Sequence, residues 1–194
     1  IVQDRGARRI MNELRALVEK RRIVFVRFDH EEGRIADARR DAEIFGHAAD
    51  QEAGLQPGVF QYPRRLNNMT KFGLRSIVYH ETVPGHHFHL ALQVENKDLP
   101  RFEQVRAFGG LSAITEGWGL YAERLAAESG WYEGDIEGQL GQLNYELFRA
   151  RRLVVDTGLH AKHWTRQQGI DFGIEASEVE RYTVFPGQAC SYMI

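Results

Sequence analysis

The sequence predicts a mainly helical protein with a small β element, on three observations. Apolar side chains recur at helical spacing through most of the chain. β-Branched and aromatic residues cluster in only two short segments, Ile23 to Phe28 and Val59 to Tyr62. Pro-Gly pairs at 57–58 and 186–187 interrupt the helical pattern rather than punctuate many short strands. The 194 residues, 43% hydrophobic and 27% charged, suffice for one domain with a substantial core.

In chain order, residues 5 to 22 place Ile10, Leu14, Leu17 and Val18 on one helical stripe with a basic exposed face. Ile23 to Phe28 alternates weakly and reads as a short strand, while the charged, Ala-rich residues 29 to 54 read as solvated helix. Gly54 to Arg65 reads as turn, extended segment, turn. Thr70 to Tyr79 leads as a helix into a histidine cluster. Leu99-Pro100 is expected to start a helix that runs to about Ser129-Gly130, crossing Gly109-Gly110 and Gly117. Residues 135 to 164 form a third long helix with Leu140, Leu143, Leu147, Leu153 and Val154 as its apolar positions. Thr165 and Ser177 are expected N-caps of two further helices.

A formal net charge of -2 gives no reason to expect nucleic acid or acidic membranes as partners. No apolar run approaches the roughly 18 residues needed to span a bilayer, so membrane insertion is not expected. The one cysteine, Cys190, excludes an intrachain disulfide and leaves cytoplasm and periplasm equally open. A start at Ile1 without Met, no signal-peptide pattern and an end inside an apolar stretch are what a portion of a longer protein would show.

Four of the eight histidines fall together: His80, His86, His87 and His89. His80-Glu81 is the first half of the HExxH pattern of zinc peptidases, but the second ligand position is Pro84. In a regular helix His80 and His86 would stand ~9 Å apart along the axis, on different faces. Sharing one metal therefore requires the helix to distort between them. Pro84 lacks the N–H that would bond the carbonyl of His80, and Gly85 tolerates the dihedrals of a bend. His87 rivals His86 as second ligand, and a plain helix end with surface histidines has the same spacing.

A catalytic zinc takes three protein ligands and keeps a position for water. TEGWGLYAE offers two carboxylates, Glu116 and Glu123, seven apart and so on one face, with glycines beside Trp118 that permit close helix approach. Glu123 pairing at the surface with Arg124 is the plainer reading of that residue. Further on, Arg152, Asp156 and His160 are spaced i, i+4, i+8, as in an ion-pair ladder. The functional alternative has His160 donating to the oxyanion of a tetrahedral intermediate. Arg149, Tyr182, Gln188 and Tyr192 are further polar candidates.

HETVPGHH, TEGWGLYAE, RARRLVVDTGLHAKHW and YTVFPGQACSY, in that order, resemble the bacterial domain-of-unknown-function family numbered 885. The resemblance runs from about Gly58 to the C-terminus, and residues 1 to 57 match only loosely. It implies a helical, zincin-like metallopeptidase core related to gluzincins. Residues 1–194 would form a single catalytic domain, with 1–57 an N-terminal helical part and 58–194 the metal-site part. It also implies one Zn2+ on His80, His86 and Glu116, with Glu81 as general base. His89 stands where the family signature has Gln, so no family role is carried to that position. Family members are longer, and a missing N-terminal region of the same protein would complete the cleft.

The function expected is zinc-dependent hydrolysis of a peptide or small amide, with Glu81, His160, Tyr182 and Tyr192 as catalytic candidates. The extended segment Val59 to Tyr62 would pair with peptide backbone. The alternatives are a hydrolase of another amide or ester, and a non-catalytic helical interaction domain.

Overall fold

A computed structural model describes residues 24–27, 59–62, 72–107 and 110–193. The expected helix over residues 5–22 and the helical stretch 29–54 lie outside the described residues. Two four-residue strands, β1 (Val24–Arg27) and β2 (Val59–Tyr62), pair in parallel with Val24 opposite Val59. One edge of β2, the segment expected to meet peptide, is thus taken by β1. The rest is helical: α1 (Leu74–Glu81), α2 (His86–Glu95), α3 (Arg101–Gln104), α4 (Ser112–Glu128), α5 (Ile136–Lys162), α6 (Arg166–Asp171) and α7 (Ala176–Val184), then a 3-10 turn at Gln188–Cys190.

The single helix expected from Leu99-Pro100 to Gly130 is two helices. The chain turns after Gln104, where Arg106 adopts φ 52° and the Ala107 N–H returns to the Phe102 carbonyl at 3.0 Å. Gly110 then leads into the start of α4, consistent with the cost of glycine within a helix. α5 begins where expected, because the Asp135 carboxylate caps it by accepting from Gly138 N at 2.9 Å. It ends on His163 in the left-handed conformation, with Trp164 N bonded to the Gly158 carbonyl at 3.0 Å.

α1 packs on both α4 and α5, and the last turns of α5 pack on α7 and the 3-10 turn. Tyr79 fixes α1 to the α4–α5 connection through edge contacts to Trp131 and Tyr132, at centroid distances of 5.1 and 5.4 Å. A compact apolar cluster of Val155, Ile174, Val179, Tyr182 and Ala189 holds the C-terminal third together. On α5 the apolar stripe faces the other way from the expectation. Leu140, Leu143, Leu147 and Val154 are exposed by 41–53%, while Gln142, Arg152 and Asp156 are buried. Beside Val155 and three glycines, the inward face of α5 carries these polar groups, and Arg152 and Asp156 among them support the C-terminal segment described below.

Thr165 caps α6 with a capping box, in which its side chain accepts from Gln168 N and the Gln168 side chain reaches back to Thr165 N. Ser177, by contrast, lies inside α7, whose N-cap is Glu175. The cap thus lies two residues before the expected one. Thr165→Ala is expected to lower stability by about 1 kcal/mol. Ser177→Ala should stay within about 0.5 kcal/mol. Urea unfolding of the two variants measures both, and equal effects would refute the assignment.

Candidate metal centre

α1 stops at Glu81 and α2 restarts at His86, so the helix is broken rather than bent between the two histidines. Across the break the Val83–Pro84 peptide is cis. A Cβ on Gly85 would collide with the His80 carbonyl, so only glycine fits that close passage. The indole Nε1 of Trp118 donates to the Pro84 carbonyl at 2.8 Å and ties the bend to α4. Where a continuous helix would separate the imidazoles, the break brings their centroids to 4.5 Å at an interplanar angle of 83°.

From α4, Glu116 completes the group. Its Oε2 lies 3.4 Å from His80 Nε2 and 3.5 Å from His86 Nε2. One ligand atom from each of the three residues falls within 4.8 Å of the others, and all three residues are buried. Glu123, two turns along α4, is 1% exposed. One of its oxygens accepts from His80 Nδ1 at 2.7 Å and the other from Ser76 Oγ at 2.5 Å. This carboxylate commits Nδ1 of His80 and turns Nε2 toward Glu116, as the outer partners of metal-binding histidines do.

α4 approaches α1 this closely because of Gly119. A Cβ there would lie 2.6 Å from His80 Cε1 and 2.9 Å from His86 Cε1. The neighbouring Gly117 would meet only the Ser191 carbonyl at 3.6 Å, an ordinary contact.

The electrostatics favour positive charge at this point. Burial lowers the His80 pKa, yet the facing carboxylates of Glu116 and Glu123 outweigh it and hold it at about 9. Burial works against ionisation of Glu116, but the two imidazoles keep its carboxyl well below the usual carboxylate range. His86 is lowered, first by burial and then by the charge on His80. Glu81 is pushed up to about 7, chiefly by burial, and its Oε2 is buried with no hydrogen-bond partner.

The structure therefore brings together His80, His86, Glu116 and the adjacent Glu81. It selects His86 over His87 for the cluster. His89 stacks on Trp118 at 5.6 Å. Tyr192 reaches the cluster, its ring 6.2 Å from that of His80. His160 and Tyr182 do not. His160 is exposed, and its Nε2 donates to the Tyr182 carbonyl at 3.0 Å. The Tyr182 ring is buried in the apolar cluster against Arg152 and Arg181.

The expected Arg152–Asp156–His160 ladder is instead a docking row for the C-terminal segment. Arg152 donates to Gln188 Oε1 at 2.9 Å, Asp156 accepts from Gly187 N at 3.1 Å, and His160 takes the Tyr182 carbonyl. Sequence reasoning missed Glu123 as the partner of His80. Its place seven residues after Glu116, on the same face, was the available signal.

These features define a mainly helical protein built around a buried two-histidine, one-glutamate cluster able to hold a metal ion. The chain belongs to a bacterial protein family of unknown function, DUF885, whose profile matches residues 6–194. The match thus extends well before Gly58, where the sequence motifs begin. A crystal structure of a "putative lipoprotein" from Colwellia psychrerythraea is similar, with 37% identity and a TM-score of 0.70. The match covers 96% of this chain and 33% of that one, so the chain spans about a third of its length. No curated protein matches the sequence. Among the described residues no helix is long and apolar enough to cross a membrane.

The fit around Gly119 gives a sharp test. Gly119→Ala is expected to destabilise the metal-free protein by about 1–3 kcal/mol through overpacking against the imidazoles. Gly117→Ala should be neutral or stabilise by up to ~1 kcal/mol through helix propensity. Thermal melts of both variants decide it, and equal shifts would show that α4 does not sit this close to α1.

Proposed function

We propose that the chain carries the zinc centre of a zincin-like hydrolase, with peptide-bond hydrolysis as its reaction. The observation that carries this reading is the convergence of His80, His86 and Glu116 ligand atoms within 4.8 Å in a buried site. Two imidazoles and a carboxylate are a common catalytic zinc set, and the Glu123 carboxylate behind His80 adds the outer partner such sets have. The reading in which the histidines merely end a helix at the surface is disfavoured by their exposure, 4% for His80 and 2% for His86.

His80, His86 and Glu116 would hold the zinc, which when bound would supply Lewis acidity to polarise a carbonyl and bring the pKa of water toward ~7. Glu81 follows His80 directly, and one of its oxygens has no hydrogen-bond partner within the protein. It takes the proton of the attacking water and returns it to the leaving amine. Glu123 holds His80 in one tautomer throughout. His160 and Tyr182 act at a distance, by seating the segment that carries Tyr192.

Zinc stoichiometry of the full-length protein tests the first step. About one ion per chain is expected, with His80→Ala losing it; unchanged metal content in that variant would sink the proposal. Glu81→Gln should keep its metal and its melting temperature while hydrolysis falls by about 10²–10⁴-fold. A panel of peptides against other amides and esters separates the peptidase from a hydrolase of different substrate class.

A further inference from the structure

Arg149, on α5, stands beside the cluster with little to bond. Its side chain is 11% exposed, and its Nε and Nη1 are buried without an acceptor. Among the described residues the nearest carboxylate, Glu123, is 3.9 Å from its Nη2, beyond hydrogen-bond reach. Glu123 is in any case already engaged by Ser76 and His80. A desolvated guanidinium without acceptors is costly. The rings of Tyr145, Phe148 and Tyr192, at 4.9, 5.6 and 5.2 Å, offset part of that cost and hold the group in place.

One turn further on, Arg152 sets its guanidinium 4.4 Å from the same Tyr192 ring, and its Nε is likewise buried without an acceptor. Two cations sharing one ring repel each other, and an anion bound at their unfilled N–H edges would relieve the repulsion and fill the vacant donors. Glu81, Glu116 and Glu123 already supply negative charge nearby, which favours a monoanion over a phosphate dianion. A guanidinium edge matches a carboxylate in geometry as well.

We propose that Arg149, aided by Arg152, forms a carboxylate-binding subsite beside the metal centre. The preferred substrates are then peptides that present a carboxylate next to the scissile bond. The substrate class rests on the hydrolase reading above; the subsite itself does not. The carboxylate is either the free C-terminus or an Asp or Glu side chain.

The test is equilibrium dialysis of the full-length protein, zinc-loaded and metal-depleted, against a pooled library of N-acetyl dipeptides. One half of the library has free C-terminal carboxylates, and the other half has the same sequences amidated. Mass spectrometry reads what is retained. Retention of free-carboxylate members over their amides by roughly tenfold or more is expected in both metal states. Selective retention of amidated members containing Asp or Glu would equally support the subsite and assign the side chain as its source.

Arg149→Gln should abolish the preference and Arg149→Lys should restore part of it. Retention that ignores carboxylates in the unaltered protein, or no retention at all, overturns the proposal whether or not the variants fold. So does a preference that survives Arg149→Gln. If Arg149 only balances the charge of Glu123, its replacement weakens zinc binding and leaves the carboxylate preference intact, which also overturns it. A carboxylate preference in protein that takes up no zinc would refute the hydrolase reading alone.

Discussion

A carboxylate removed from water must have its oxygens filled by donors, and beside the histidine cluster Glu123 has both of its oxygens filled. It is 1% exposed, with Ser76 Oγ on one oxygen and His80 Nδ1 on the other. Ser76 and His80 are one turn apart on α1, so a single side chain of α4 fixes both the rotation and the height of α1 against it. Everything near the cluster follows from that docking. Nε2 of His80 is turned toward Glu116, one face of α4 presents both carboxylates, and the helices come close enough that position 119 must be glycine. Loss of His80 would leave a buried charge uncompensated, which costs far more than the pair contributes to stability, and loss of Ser76 would leave one buried oxygen without a donor.

A second constraint acts from the other side. α5 uses its inward face to seat the C-terminal segment through Arg152, Asp156 and His160, each bonded to a different point between residues 182 and 188. That seating delivers Tyr192 to a place between two guanidinium groups and the His80 ring. Helix α1 and the C-terminal segment thus meet at the cluster. The residues of the cluster come from α1, α2 and α4, and Tyr192 comes from the last described turn.

How much of this was legible in the sequence depends on whether the cause is local. Pro84 and Gly85 announce a helix break by their own backbone chemistry, and Glu116 and Glu123 announce a shared face by spacing. Both readings hold in the structure. The partner of His80 was not legible, because periodicity places two carboxylates on one face without saying which imidazole nitrogen each will meet. Nor was the role of Arg152, Asp156 and His160, since i, i+4 spacing suits an ion-pair ladder and a docking row equally well. The cap of α7 at Glu175 rather than Ser177 is a smaller case of the same kind, in which the helix begins ahead of the residue with the stronger local cap preference.

The inverted pattern of α5 shows why such failures gather here. A helix on a globular surface ordinarily turns its apolar stripe inward. α5 instead turns Gln142, Arg152 and Asp156 inward and leaves Leu140, Leu143 and Leu147 exposed. Burying these polar groups is tolerated because Arg152 and Asp156 find partners on the C-terminal segment and Gln142 donates to Glu146 on its own helix. The exceptions are the N–H groups of Arg149 and Arg152 beside Tyr192. A helix selected only for stability would have spent that face on leucine, with no desolvation cost and no orphan donors. The departures from the helical rule thus fall on the strip that seats the C-terminal segment, where polarity serves positioning rather than the core.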